Sequence, residues 1–301
     1  MSCQRDQRKW NRFRVRARAS KDTAMKPDVS VVVPVFDEEG AAPALAREIA
    51  AAFAGRAFEL IFVNDASRDG TAAALAALRG EIPQLRLLDH ARNAGQSRAV
   101  RSGVMAARAP IVVTLDGDGQ NDPADAPRLV DRLAAGPARL AMVGGVRVKR
   151  QDSLAKKLAS RFANGVRQAL LKDAAADTGC GLKAMRREAF LRLPYFDHLH
   201  RFLPALMIRE GYEIAFEPVG HRPRQAGRSK YTNLGRLWAS LSDLSGVMWL
   251  ISRARPPGEV SEASGQGASG KSGEHHRNDD QVEGAGEEGH ASSGETRLAR
   301  R

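Results

Sequence analysis

The sequence predicts an α/β domain: a mostly parallel sheet flanked by helices, with an amphipathic helical segment at its C-terminal end. Three observations predict it. Short apolar runs rich in β-branched residues alternate with Ala- and Leu-rich helical stretches across residues 28–255. The connections between them are short, as βα units require. The polar residues with chemical capacity gather just after the apolar runs, where open α/β sheets hold their ligands.

The elements follow in order. Val29–Val35 (Val-Ser-Val-Val-Val-Pro-Val) reads as a buried first strand, broken by Phe36-Asp37-Glu38-Glu39-Gly40, and residues 41–53 have helical composition. A second strand spans 58–63 and ends in Asn64-Asp65-Ala66-Ser67-Arg68-Asp69-Gly70-Thr71, followed by a helix to about Leu78. Residues 85–88 form a third strand and 95–108 a third helix. The fourth strand, from Ile111, runs into Asp116-Gly117-Asp118-Gly119-Gln120. A helix near 125–134, a fifth strand at 140–143 and a later strand at 212–219 complete the pattern. No Gly-x-Gly-x-x-Gly follows the first strand, which disfavours a dinucleotide-binding domain.

The ends differ from this core. Residues 1–27 hold nine Lys/Arg against two Asp, without the apolar stretch of a secretory signal. This reads as a disordered basic head, or as the product of a translation start placed upstream of Met25. Residues 256–301 are mostly Gly, Ser, Glu, Ala and His and read as a disordered tail. Of the formal charge of +12, about +9 falls on residues 28–255, which suits a polyanionic substrate or an anionic membrane surface. Two cysteines, Cys3 and Cys180, make no disulfide framework and fit a reducing compartment. No apolar run reaches membrane-spanning length.

Asp116 and Asp118 stand one glycine apart in a loop after a strand, with Gln120 two residues on. Two carboxylates and an amide oxygen suit a hard cation such as Mg²⁺ or Mn²⁺. A plain Asp/Gly turn is the alternative. An EF-hand fits worse, because Asn121 stands where glycine is needed and Pro127 where the closing glutamate belongs. Pro34, Phe36 and Glu38 follow strand one and Asp65 follows strand two, so parallel strands carry three polar sets to one edge. Packing alone is the alternative for Phe36, and helix capping for Asp65.

Val-Val-Val-Pro-Val-Phe-Asp-Glu-Glu, Val-Asn-Asp-Ala-Ser-Arg-Asp-Gly-Thr and Leu-Asp-Gly-Asp-Gly-Gln-Asn-Asp-Pro occur in that order. Asp177-Thr178-Gly179-Cys180-Gly181-Leu182-Lys183 and Arg224-Gln225-Ala226-Gly227-Arg228-Ser229-Lys230-Tyr231 follow them. Together they resemble the family 2 glycosyltransferases of the GT-A (Rossmann-like) fold, and within them the polyprenyl-phosphate group similar to dolichol-phosphate mannosyltransferase. The resemblance covers almost all of 28–250 and sets the domain at 28–233.

It implies metal-dependent, inverting transfer of a sugar from a nucleotide-diphosphate sugar to a polyprenyl phosphate. Pro34, Phe36, Glu38 and Asp65 would line the nucleotide; Asp116, Gly117, Asp118 and Gln120 would hold the cation and donor diphosphate. Arg147, Arg161, Arg224 and Lys230 would meet phosphate. Asp177 would orient these bases, or serve as general base if the acceptor is a hydroxyl. Expected partners are the membrane surface at its cytoplasmic face and an integral membrane protein that handles the lipid-linked sugar, not nucleic acid.

Two stretches stay open. Asp152–Lys172 places Leu154, Leu158, Phe162, Val166 and Leu170 at steps of four, an amphipathic helix with basic residues between. Residues 234–255 carry Trp238, Trp249 and further apolar residues interrupted by Ser and Gly. They read as an interfacial helix, with packing on the domain or a second subunit as the alternative. His198 and His200, on an expected helix, face two ways and do not suggest zinc.

Overall fold

The computed structural model describes residues 26–148, 165, 167, 168, 170, 171, 173, 177–222 and 233–255, and side chains in the last stretch from residue 242 onward. Arg161, Arg224, Lys230, the head, the tail and most of the expected helix in 152–172 lie outside the described residues.

The first half follows the expected alternation: β1 (Val29–Val35), α1 (Ala42–Ala52), β2 (Phe58–Asn64), α2 (Thr71–Ala77), β3 (Leu85–Asp89), α3 (Gln96–Ala106) and β4 (Ile111–Thr114). Then come α4 (Ala126–Ala135), β5 (Leu140–Arg147), β6 (Lys183–Arg186), α5 (Arg187–Arg192), α6 (Leu203–Arg209), β7 (Glu213–Val219) and α7 (Asn233–Ser252). The seven strands form one sheet in the order β3-β2-β1-β4-β6-β5-β7. β1, β2, β3 and β4 are mutually parallel, and β5 pairs parallel with β7.

β6 departs from the expectation. It enters between β4 and β5 and runs antiparallel to both. Its four residues, Lys-Ala-Met-Arg, carry charge at each end and form no apolar run, so periodicity does not reveal them. The chain from Asp177 to Leu182 makes a turn and an irregular approach, and the strand starts at Lys183. His198 is not helical either: it takes a left-handed φ of 62° before a one-turn 3₁₀ segment, Leu199–Arg201.

Side chains alternate along β1 as strand geometry demands. Val31 and Val33 face Leu45, Ile49, Phe53, Leu129 and Leu133 on one side of the sheet. Val32 joins Ile61, Val100, Val104, Met142 and Phe190 on the other. Two apolar layers leave β1 no solvated face, hence its continuous hydrophobic run. At the edge where β1 and β2 begin, Glu59 is 5% exposed and accepts from Ser30 Oγ at 2.6 Å and from the Arg108 amide at 2.6 Å, with Arg86 completing its shell. That carboxylate serves the fold.

α7 packs on the second layer through Val247, with Leu244, Leu250 and Ile251 partly buried, and Arg209 Nε donates to the Leu250 carbonyl at 3.0 Å. Met248 and Trp249 point outward, Trp249 being 60% exposed. Among the described residues no helix is long and apolar enough to cross a membrane.

Gly103 sets the approach of α3 to the sheet: a Cβ there would lie 2.3 Å from Val32 Cγ1, on a side chain with no room to move. Gly103→Ala is expected to cost about 1–3 kcal/mol through overpacking, read as a fall in denaturant midpoint at unchanged slope.

Candidate active site

The ends of β1, β2 and β4 come to one edge, as their parallel register requires. There a cavity of about 530 Å³ opens between the Asp116–Gln120 loop, the Thr178–Gly181 approach to β6 and the Leu199–Arg201 turn. Its lining includes Pro34, Asp116, Gln120 and Arg147 of the expected site residues, together with Gln96, Lys183, His200 and Arg201.

Asp116 lies just beyond β4. Gln96 Nε2, from the first turn of α3, donates to Asp116 Oδ1 at 2.8 Å. Burial first, and the neighbouring Asp118 second, raise the Asp116 carboxyl above its ordinary value, with Lys183 and Arg147 opposing them. Gly181 faces this carboxylate so closely that a Cβ would sit 2.3 Å from its Cγ. Gly117 is held as tightly, its Cβ position lying 2.7 Å from the Pro34 carbonyl. Asp118 Oδ1 accepts from the Gln120 amide at 3.2 Å, which closes the loop on itself.

Arg147, the last residue of β5, grips Asp177 in a fork: Nε to Oδ2 at 2.6 Å and Nη2 to Oδ1 at 2.7 Å. Asp177 is 8% exposed. The pairing raises the Arg147 guanidinium, so it stays charged. Lys183 is 5% exposed, with Nζ donating to the Cys180 carbonyl. Burial lowers its pKa, while Cys180, Asp116 and Asp177 resist the shift. Burial likewise raises the Cys180 thiol, which stays protonated and inert.

The residues expected on the nucleotide side are placed differently. Pro34 reaches the cavity, whereas Phe36 and Glu38 belong to a loop laced onto the β2–α2 connection. There the Glu38 amide donates to Thr71 Oγ1 at 2.9 Å and the Arg68 amide to Asp37 Oδ1 at 2.7 Å. Asp65 accepts from the amides of Ala94 (2.9 Å) and Gly95 (2.8 Å) and lies 2.6 Å from His90 Nδ1. Burial opposes its ionisation, but these donors hold its pKa low. It thus ties down the loop entering α3 rather than capping α2, the alternative that sequence offered. Asp65, His90 and Ser102 form a linear chain, with His90 Nε2 2.9 Å from Ser102 Oγ. Ser102 is 4% exposed, so this is no hydrolytic triad: a substrate carbonyl cannot reach the hydroxyl.

His198 and His200 turn to different partners. His198 Nδ1 lies 2.7 Å from Asp243 of α7. His200 Nδ1 lies 2.8 Å from Ser97 Oγ, and burial, aided by Lys183, pushes its pKa down to about 3. Among the described residues no three His, Cys, Asp or Glu side chains gather to hold a metal. The set left for a cation is two carboxylates and the Gln120 amide oxygen, hard donors of the kind Mg²⁺ and Mn²⁺ accept alongside ligand and water oxygens. The mutual repulsion felt at Asp116 is what a cation relieves, so these residues fit one.

This architecture has known counterparts. The model of the family described as Glycosyl transferase family 2 matches residues 30–193. The chain belongs to glycosyl transferase family 2. It is 32% identical over 256 residues to a dodecaprenyl-phosphate galacturonate synthase of Rhizobium johnstonii, covering 83% of this chain and 75% of that one. It is 38% identical over 224 residues to an undecaprenyl-phosphate 4-deoxy-4-formamido-L-arabinose transferase of Pseudomonas aeruginosa, covering 72% of this chain but only 63% of that one. The fold resembles glucosyl-3-phosphoglycerate synthase of Mycobacterium tuberculosis solved with Mn²⁺, UDP-glucose and glycerol 3-phosphate. The TM-score is 0.56 at 21% identity, over 77% of this chain and 81% of that one.

Gln96, Lys183 and Arg201 are cavity residues that sequence patterns did not single out, and His200 stood out only as half of a His-x-His pair that does not suggest zinc. Lys183 closes the Asp177–Lys183 motif, so its signal was present. Gln96 and Arg201 carry no such signal in their neighbours.

His200 makes the fold acid-sensitive. Its folded pKa of about 3 lies below its ordinary 6.5, so between those values the unfolded chain binds the proton that the folded one refuses. Its contribution is therefore full above pH 6.5 and lost progressively toward pH 3. The slope approaches about 1.4 kcal/mol per pH unit. His200→Asn is expected to flatten the acid limb of thermal midpoint against pH, with little change at about pH 7.5, where both states hold a neutral ring.

Proposed function

We propose that this protein transfers a sugar, with inversion, from a nucleotide-diphosphate sugar to a polyprenyl phosphate at the cytoplasmic face of the membrane, to which it attaches peripherally. The observation that carries the reading is the meeting, in one cavity, of the Asp116–Gln120 loop and the Arg147–Asp177 fork. One side suits a cation on the donor diphosphate; the other presents fixed positive charge to an anionic acceptor. The relatives named as polyprenyl-phosphate sugar transferases support that acceptor class.

Asp116, Asp118 and Gln120 would hold Mg²⁺ or Mn²⁺, which when bound supplies Lewis-acid neutralisation of the leaving diphosphate. Gln96 fixes the Asp116 carboxylate in its rotamer. Pro34, with Phe36, Glu38 and Asp65, would shape the nucleotide side, and Gly117 lets the backbone pass close beneath it.

Asp177 commits both oxygens to Arg147, which leaves Nη1 of that guanidinium for a phosphate. A phosphate acceptor needs no general base, since its second pKa is about 6 and it is largely ionised at neutral pH. Its oxygen attacks the anomeric carbon from the face opposite the diphosphate, which inverts the centre. Two polyanions must meet for this, and the clustered cations offset their repulsion. Arg161, Arg224 and Lys230 complete the proposed phosphate set. On its outer face α7 presents Trp249 and Met248 for the interface, and an integral membrane partner would receive the product lipid.

The test is nucleotide diphosphate release from UDP- and GDP-sugars, with Mg²⁺ or Mn²⁺, with and without undecaprenyl phosphate. Release is expected to require lipid, metal and one sugar nucleotide, and Asp118→Ala to lower kcat/KM by about 10²-fold or more. Lipid-independent release onto a saccharide would move the assignment to a hydroxyl acceptor.

Asp177→Asn separates the two roles of that residue. If it positions Arg147, turnover falls about 10- to 100-fold, the worth of a charge-assisted pair, and the pH profile keeps its shape. A general base would show itself by loss of the acidic limb of kcat/KM against pH.

A further inference from the structure

Among the described residues three cations line the cavity: Arg147, Lys183 and Arg201. Two are already engaged, Arg147 by the Asp177 fork and Lys183 by the Cys180 carbonyl. Arg201 is half-buried, and among the described residues no carboxylate pairs with its guanidinium. A half-buried, unpaired arginine is costly unless a ligand supplies the counter-charge. Its neighbour does not add a second charge: His200 is neutral at physiological pH and turned to Ser97.

The turn that carries Arg201 is fixed from both sides. Ser97 of α3 holds His200 at its inner end, and the His200 amide donates back to Ser97 Oγ at 3.3 Å. His198, just before the turn, is clasped by Asp243 of α7 at 2.7 Å. The same helix turns Trp249 and Met248 outward, and Arg253, just past its end, lies 6.0 Å from the centre of the Trp249 ring. An aromatic side chain beside an arginine is the pairing that favours a headgroup boundary. The wall bearing Arg201 is thus joined to the helix best suited to meet a lipid surface.

We propose that Arg201 binds the phosphate of the lipid acceptor, on the cavity wall formed by the Leu199–Arg201 turn. The inference deepens the function proposed above and rests on it. Arg201 acts by binding: its fork takes two phosphate oxygens, as guanidinium groups do, and holds the attacking oxygen near Arg147. The His198–Asp243 clasp positions the turn and couples its placement to α7.

The experiment compares wild type, Arg201→Lys and Arg201→Gln. Turnover is measured against undecaprenyl phosphate in detergent micelles, and UDP binding in Mn²⁺ by calorimetry, which also reports that each variant is folded. Arg201→Gln is expected to raise the acceptor KM about 10- to 100-fold, the loss of a charge-assisted bond, with UDP affinity within about twofold of wild type. Arg201→Lys is expected to fall between. An unchanged acceptor KM in Arg201→Gln overturns the proposal. So does a UDP affinity that falls by the same factor, which would assign Arg201 to the donor diphosphate. Wild type that turns over no lipid phosphate would instead defeat the proposed function itself, a result distinct from either.

Discussion

The contact between Gly181 and Asp116 is the constraint on which the site depends. A carboxylate just past a strand end is half-buried, lifted in pKa and set beside a second carboxylate; such an arrangement persists only if the surrounding backbone comes close enough to fix it. Gly181 supplies that approach by having no side chain. Thr114 Oγ1 donates to the Gly181 carbonyl at 2.9 Å, pinning the two segments together at the end of β4. From this contact the chain runs into β6, so the antiparallel strand and the cavity share one cause.

β6 also explains how the site gathers charge. By entering between β4 and β5, it sets Lys183 opposite Thr114 and beside Gly144 in the sheet register. Arg147 at the end of β5 then meets Asp177 ahead of β6, thirty residues apart in sequence. Arg147 pairs with the buried Asp177, while Lys183 opposes the raised pKa of the half-buried Asp116. Coulombic attraction is strong at the Arg147–Asp177 pair because little solvent reaches it, and desolvation is costly for the same reason. The balance is a fixed polar lattice, suited to a ligand that arrives with its own negative charge.

The segment after β7 is tied to the loop that follows β4. The Gln120 carbonyl accepts from the Arg222 amide at 2.9 Å, Asn121 bridges to His221, and Arg222 pairs with Glu48 at 2.6 Å and Asp122 at 2.8 Å. The chain that leads to Arg224 and Lys230 therefore leaves from beside the Asp118–Gln120 loop. A solvated surface pair contributes little by itself, but several ties to one loop fix its course.

Sequence alone determined the parallel half of the sheet, the edge at which the polar residues meet and the family, because local periodicity and short motifs encode all three. Asp116, Gln120, Pro34 and Arg147 were legible as cavity residues because each ends or follows a recognisable strand. Tertiary structure alone decided the rest. It gave β6 its place and direction, set Asp177 against Arg147, committed Asp65 to the α3 loop and turned His198 and His200 apart. Those outcomes depend on partners 25 to 103 residues distant. Burial and pairing at such range leave no mark on the spacing of neighbours, so only the folded chain can show them.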